Sequence, residues 1–344
     1  MPKPASLPPG LLIKTGRTVW TTLWRVMMGK LAPRDKSGAY LRPESAFRNW
    51  VEPGETTLYP AAVNRYELIV GMSCPWAHRT LVTRALKGLE TVVSVTVVSP
   101  SASGMWAFEE PLEGCKTLPE FYRQLQSGYT GRSTVPVLWD RETHTIVNNE
   151  SADIIEMLNR SFNQFAKNSV LDLSPKALRS HIAHWNSLIY PNINNGVYRC
   201  GFAQTQTAYD TACNQLFDTL DTLEKVLEKQ RYLGGEQLTL ADVRLFTTLI
   251  RFDAAYHTLF KCNRRRLVDY RALNDYVRDI YQLPGVTETC DIEAVKRDYF
   301  GNLFPLNPGG IIPSGPDLET LAAPHNRDKL TIDVEPSIDV EPSM

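Results

Sequence analysis

A lone thiol at a strand-to-helix junction is the feature of this sequence that points most directly to a chemistry. Cys74 lies in Ser73-Cys74-Pro75-Trp76-Ala77, after the apolar run Tyr66-Glu67-Leu68-Ile69-Val70 and its punctuating Gly71. The pattern that follows predicts a helix from Pro75 through Leu81, Val82 and Ala85 to Gly88. Pro75 suits a first turn, where its missing N–H costs nothing. A thiol there sits at the positive end of the helix macrodipole, where unpaired backbone N–H groups favour an anion. They are expected to bring its pKa below the free value of about 8.5. Three residues on, where a dithiol oxidoreductase carries its second cysteine, stands Ala77. A disulfide formed by Cys74 is therefore resolved by a thiol from elsewhere, most simply a soluble one such as glutathione. Most free cysteines are small buried hydrophobes, and it is the strand, proline and helix around Cys74 that favour the reactive reading.

The elements around Cys74 have a recognisable order. A second strand is expected over 92–98, where Val92-Val93-Ser94-Val95-Thr96-Val97-Val98 is rich in β-branched residues. Residues 99–132 read as a connecting region containing Trp106, Phe121 and Tyr122. Residues 134–139 and 145–147 then form a hairpin around Asp140 to His144, and a helix runs from Ser151 through Ile154, Ile155 and Leu158. This βαβ-ββα order is the thioredoxin-like plan. From about Pro175 to Tyr299 the signal is helical: Leu216, Leu220, Leu223 and Leu227 share one helix face, and Thr239-Leu240-Ala241-Asp242 reads as a capping box. The fold class is therefore α/β plus all-α. An N-terminal extension over 1–60 precedes a thioredoxin-like domain over 61–165 and an all-helical domain over 170–300, and a tail over 301–344 has an end expected to be disordered. That tail repeats Asp-Val-Glu-Pro-Ser at 333–337 and 339–343.

Further candidates take their meaning from this plan. Val135-Pro136 opens the strand facing the thiol, where a cis peptide bond would free the preceding backbone to pair with an extended peptide. Glu150-Ser151 begins the next helix and offers a helix N-terminus for a carboxylate and an acceptor for an ammonium, the two charges of a γ-glutamyl head; plain helix capping explains the pair equally well. Arg132 and Trp106 could complete a pocket by charge and by stacking. His78, next to the motif, is read as structural, with a helix-surface hydrogen bond, and Cys200 could in principle resolve Cys74.

In this order the residues resemble the glutathione transferase superfamily. More narrowly, Cys74-Pro75-Trp76-Ala77-His78-Arg79, Asn194-Asn195-Gly196-Val197-Tyr198, Arg251-Phe252-Asp253-Ala254-Ala255-Tyr256 and the closing 307–313 segment look like the glutathionyl-hydroquinone reductases, the Xi class. The resemblance spans about 47–316. It implies that Cys74 attacks the sulfur of a glutathionyl-hydroquinone, that glutathione is the co-substrate, and that no metal takes part. It further implies that Trp106, Arg132, Ser133, Thr134, Val135, Glu150 and Ser151 hold glutathione. Tyr198 is then the proton donor to the departing aromatic, with Tyr256 and Tyr299 near the sulfur, and the protein is a homodimer paired through its helical domain. An Omega-like thioltransferase or dehydroascorbate reductase would use the same cysteine, and a non-catalytic ligand-binding protein would use none of this chemistry.

Composition fits that reading. The 344 residues, 43% hydrophobic and 22% charged, allow two globular domains, and 37 basic against 38 acidic residues leave no field to recruit nucleic acid. The six widely spaced cysteines form no disulfide framework and no metal-ligand pattern, so a reducing, cytoplasmic setting is expected. No apolar run approaches the roughly 18 residues of a membrane span. Before Asp35 lie Lys3, Lys14, Arg17, Arg25, Lys30 and Arg34 with no acidic residue, among Trp20, Trp24, Met27 and Met28. Three readings fit that segment: an extension packed on the body, an organellar (for example plastid) transit segment, or a membrane-surface helix.

Overall fold

The computed structural model describes residues 9–330, apart from residues 55 and 102. The repeated Asp-Val-Glu-Pro-Ser and the expected disorder of the tail end lie outside the described residues.

The chain opens with a 23-residue helix, α1 (Pro9–Leu31). The extension then runs along the edge of a sheet, where Asn49 N–H donates to the Val147 carbonyl and Asn149 N–H to that of Phe47. Strand β1 (Tyr66–Val70) leads into α2 (Pro75–Lys87) and β2 (Ser94–Pro100). Gly88 ends α2 in the left-handed conformation, φ 65°, which a residue without Cβ adopts at no steric cost. Then come β3 (Trp106–Leu112), β4 (Cys115–Thr117), α3 (Leu118–Leu125), the hairpin β5 (Val137–Asp140) and β6 (Thr145–Asn148), and α4 (Ser151–Arg160). The sheet order is β4-β3-β2-β1-β5-β6, with β1 and β2 parallel and all other pairs antiparallel. Its four strands β2-β1-β5-β6 are the thioredoxin-like core, and β1, buried along its whole length, is central.

Two expectations are corrected here. The second strand begins two residues later than its β-branched run, because the N–H groups of Val92 and Val93 turn back to the Leu89 carbonyl. The connecting region holds the β3–β4 hairpin and α3. Thr117 caps α3 by accepting from Glu120 N–H, while the Glu120 carboxylate accepts from the Thr117 N–H.

The rest is helical: α5 (Arg179–Ile189), α6 (Gly196–Gly201), α7 (Gln206–Leu227), α8 (Leu240–Leu249), α9 (His257–Leu259), α10 (Arg271–Tyr281) and α11 (Ile292–Asn302). The predicted face of α7 is realised, with Leu216, Leu220, Leu223 and Leu227 fully buried. Burying each stabilises the fold by roughly 1.5–3 kcal/mol. At α8, the Asp242 carboxylate accepts from both the N–H and the hydroxyl of Thr239. Arg327, beyond α11, donates to the carbonyls of Leu227, Gln230 and Arg231 and so ties the following segment to the end of α7. Two π-helical turns interrupt the bundle, Tyr190–Asn194 just before α6 and Phe252–Tyr256 just before α9. Such turns recur at functional sites, and these two carry the chain to Tyr198 and to Tyr256.

Candidate active site

Cys74 is the N-cap of α2, in extended conformation, and its carbonyl accepts the first helical bond from His78 N–H. The thiol is partly exposed and lies 3.7 Å from the Val135 carbonyl oxygen, beside a Val135–Pro136 peptide bond that is cis. Burial pushes the Cys74 thiol up; the N–H groups of Ala77 and Trp76 and the guanidinium groups of Arg42 and Arg251 pull it down, and burial wins. The helix N-terminus thus acts as the sequence suggests, but the expected fall below the free value is corrected to a rise. The surrounding protein desolvates the thiolate more than the first turn stabilises it.

Across from this thiol the helical bundle presents three tyrosines. Tyr198 on α6 and Tyr299 on α11 are joined hydroxyl to hydroxyl at 2.6 Å, and Tyr256 reaches the Tyr299 hydroxyl at 3.3 Å. Burial raises all three, Tyr198 and Tyr299 well above an ordinary phenol, so each is a neutral hydrogen-bond donor at physiological pH. Tyr198 and Tyr256 are both within electrostatic reach of Cys74. Tyr198 also stacks on Trp76, ring centroids 6.3 Å apart, which links the cysteine motif to the tyrosine cluster.

The remaining sequence-derived candidates lie on the sheet domain. Trp106, at the start of β3, lies over Gly71: a Cβ there would come within 2.5 Å of its ring, so only glycine lets the indole approach the strand leading to Cys74. Arg132 is exposed, and its carbonyl accepts from Tyr129. Thr134 is fixed by Tyr122, which donates to its carbonyl, and Ser133 lies half-buried between the two. Glu150 is the N-cap of α4, and its carboxylate accepts from Ala152 N–H and from the Ser45 hydroxyl. Burial works to raise its pKa, but those bonds and the charges of Arg79 and Arg42 outweigh it and hold the carboxyl below the ordinary value. Ser151 accepts from Arg79. A cleft of about 380 Å³ opens here between α4 and the bundle, lined by Glu150, Ala152, Arg79, Tyr190, Asn194 and Arg244. The Nε atoms of Arg79 and Arg244 are buried without a hydrogen-bond partner among the described residues.

Several contributors escaped the sequence reading. Arg42 and Ser45 come from the extension: Arg42 stacks on Trp76 at 3.8 Å, with Arg79 over the same ring at 4.4 Å. Arg251 is only 1% exposed, yet it donates to the carbonyls of Met72 and Ser73 and to Nδ1 of His78, pinning the loop before Cys74 to the helical domain. It stands in the Arg251–Tyr256 motif, where local sequence marks only the tyrosine; nothing local marks Arg42. His78 is structural as expected, but buried instead of on the helix surface. Because arginine can only donate, Nδ1 accepts and Nε2 donates to Thr289. Burial and the Arg251 charge keep this imidazole neutral by holding its pKa well below the ordinary value. All six cysteines are free, and Cys200 is 2% exposed in contact with Cys213 and Cys262, which leaves it no path to Cys74 without unpacking. Among the described residues no cluster of His, Cys, Asp and Glu could hold a metal ion, and no helix is long and apolar enough to cross a membrane.

Comparison with known proteins adds to this geometry. The chain matches the N-terminal domain of glutathione S-transferases over residues 73–161 and their C-terminal domain over 206–279. It is 43% identical over 325 residues to the Escherichia coli glutathionyl-hydroquinone reductase YqjG, covering 90% of this chain and 97% of that one. To the glutathionyl-hydroquinone reductase PcpF of Sphingobium chlorophenolicum it is 40% identical over 315 residues, covering 89% and 96%. The glutathione-bound structure of YqjG superposes with a TM-score of 0.77 at 46% identity, covering 82% of this chain and 96% of that one. The glutathione-S-transferase Xi of Phanerochaete chrysosporium gives 0.80 at 43% identity, covering 85% and 96%.

Proposed function

This chain belongs to the Xi-class glutathione transferases, the family of the glutathionyl-hydroquinone reductases, and on that premise we propose that it reduces glutathionyl-hydroquinones at Cys74. The observation that carries the reading is a single thiol, with no second cysteine in its motif, set against a cluster of neutral phenols.

The sheet domain, 61–165, holds glutathione. Its cysteinyl backbone pairs with Val135 in the manner of strand addition. The γ-glutamyl end takes the cleft at Glu150, next to Ser151, where the Glu150 carboxylate accepts from the ligand's ammonium and the N-terminus of α4 faces its carboxylate. Trp106, Arg132, Ser133 and Thr134 close the remaining sides. The quinol ring lies over the helical domain, 170–300, against Trp76 and the tyrosines.

The Cys74 thiolate attacks the sulfur of the thioether. The S–S bond of a Cys74–glutathione disulfide forms as the carbon–sulfur bond breaks, and the aromatic fragment leaves with the bonding pair. A proton supplied through Tyr198, at the ring carbon or first at its oxygen, completes the quinol. The carbon is thereby reduced and the two sulfurs oxidised. A second glutathione, as thiolate, attacks the glutathionyl sulfur, releasing oxidised glutathione and regenerating Cys74. Tyr299 orients Tyr198, and Tyr256 lends its hydrogen bond to the same cluster. Family membership also supports a homodimer paired through the helical domain, to be read by light scattering. Six free thiols suit a reducing compartment such as the cytoplasm.

The test is product analysis with glutathionyl-menadiol and excess glutathione. Wild type is expected to release free menadiol, and Cys74→Ala none. A wild-type protein that leaves this thioether intact while reducing small mixed disulfides would make it a thioltransferase; inactivity on both would make it a binding protein.

A further inference from the structure

Helix α1 carries an apolar face that no other described element covers. Residues 10–20 are all exposed; apart from the edge of Trp20 against Phe304, packing begins at Trp24, which donates to the Pro305 carbonyl, and at the fully buried Met28. Leu12, Val19, Leu23 and Val26 recur at spacings of seven, four and three, which places them in one stripe. Each is 52 to 56% exposed. Trp24 and Met28 point to a different arc, so docking on the body leaves the stripe free.

The charges select the occupant. Lys14, Arg17, Arg25 and Lys30 are exposed, and the helix contains no acidic residue. A second copy of α1 would add four more positive charges with no acidic residue to offset them. An anionic bilayer surface suits the whole helix: the stripe sinks to the acyl boundary, Lys30 at its end reaches lipid headgroups, the negative surface potential attracts the cations of the polar face, and Trp20 flanks the interface. We propose that α1 is a membrane-surface helix that docks this protein on an anionic bilayer without spanning it. The inference is independent of the reaction proposed above.

Flotation of the full chain with phosphatidylcholine vesicles, with and without about 30% phosphatidylserine, tests it. The expected result is capture by the anionic vesicles and at least about tenfold weaker capture by the neutral ones. Leu12→Gln/Val19→Gln/Leu23→Gln, which keeps helix propensity, abolishes capture, and Lys14→Gln/Arg17→Gln/Arg25→Gln reduces it about tenfold or more. Both variants retain wild-type turnover, which shows that the body remains folded. Absence of flotation, equal capture by neutral vesicles, or undiminished capture of the apolar-stripe variant overturns the proposal. So does a self-association that the stripe variant dissolves while vesicles capture nothing.

Discussion

Replacing Tyr299 with phenylalanine removes one hydroxyl from the centre of the tyrosine cluster and leaves its ring packed against Tyr256 and Phe260. Two hydrogen bonds go with it: the 2.6 Å contact to Tyr198 and the 3.3 Å contact to Tyr256. A buried hydroxyl stripped of its partner costs about 1–3 kcal/mol. Tyr256 is fully buried, so its share appears as lost stability, about 1–2 kcal/mol in denaturant unfolding. Tyr198 is half-buried and finds water, so its share appears as lost orientation. If orienting Tyr198 contributes about 1–2 kcal/mol to the transition state, Tyr299→Phe lowers kcat/KM on glutathionyl-menadiol about 5- to 30-fold. Tyr198→Phe removes the donor itself and lowers it by about 10²–10⁴. The two are not independent. In a double-mutant cycle, Tyr299→Phe on the Tyr198→Phe background costs less than about twofold more. Equal costs in both backgrounds would refute the claim that Tyr299 works through Tyr198.

Three other outcomes are expected. Because burial raises the Cys74 thiol above its ordinary value, the thiolate is scarce at neutral pH. The pre-steady-state rate of quinol release therefore climbs about tenfold per pH unit through neutrality and levels off only beyond that value, whereas a plateau near pH 7 contradicts it. Arg251→Met severs the bonds to Met72, Ser73 and His78, lowers stability by about 2–4 kcal/mol in denaturant unfolding, and moves the alkylation pKa of Cys74 further up, since a lowering charge is lost. Gly71→Ala drives a methyl to 2.5 Å from the Trp106 ring; the indole must shift, and calorimetry should show glutathione binding weakened about tenfold, with unchanged affinity refuting a role for Trp106 in the pocket.

The elements that organise the site were readable wherever a local rule fixes them. A proline after the cysteine, a glycine at the end of α2, the leucine spacing of α7 and the Thr239–Asp242 cap each encode a boundary or a face within a few residues. The β3–β4 hairpin was hidden because Glu109-Glu110-Pro111 breaks the alternation that marks a strand. The Thr117–Glu120 cap before α3 is a capping-box signature legible in the sequence, although the elements around it are not. Other features have no local signal at all. Arg42 meets Trp76 only after the extension folds back across the sheet edge, and Arg251 finds the Cys74 loop 178 residues away. The sign of the thiol shift depends on how much protein surrounds Cys74, a tertiary property that outweighs the helix N-terminus beside it.

The central claim is that Cys74 takes glutathione from the thioether as a disulfide. A single turnover tests it most directly: stoichiometric glutathionyl-menadiol is mixed with the reduced protein, no free glutathione is present, and intact-mass and peptide analysis follow an acid quench. The account predicts one menadiol released per protein and one glutathionyl adduct, reducible and confined to the Cys74 peptide. Menadiol released without an adduct, or an adduct on another cysteine such as Cys290, would contradict it.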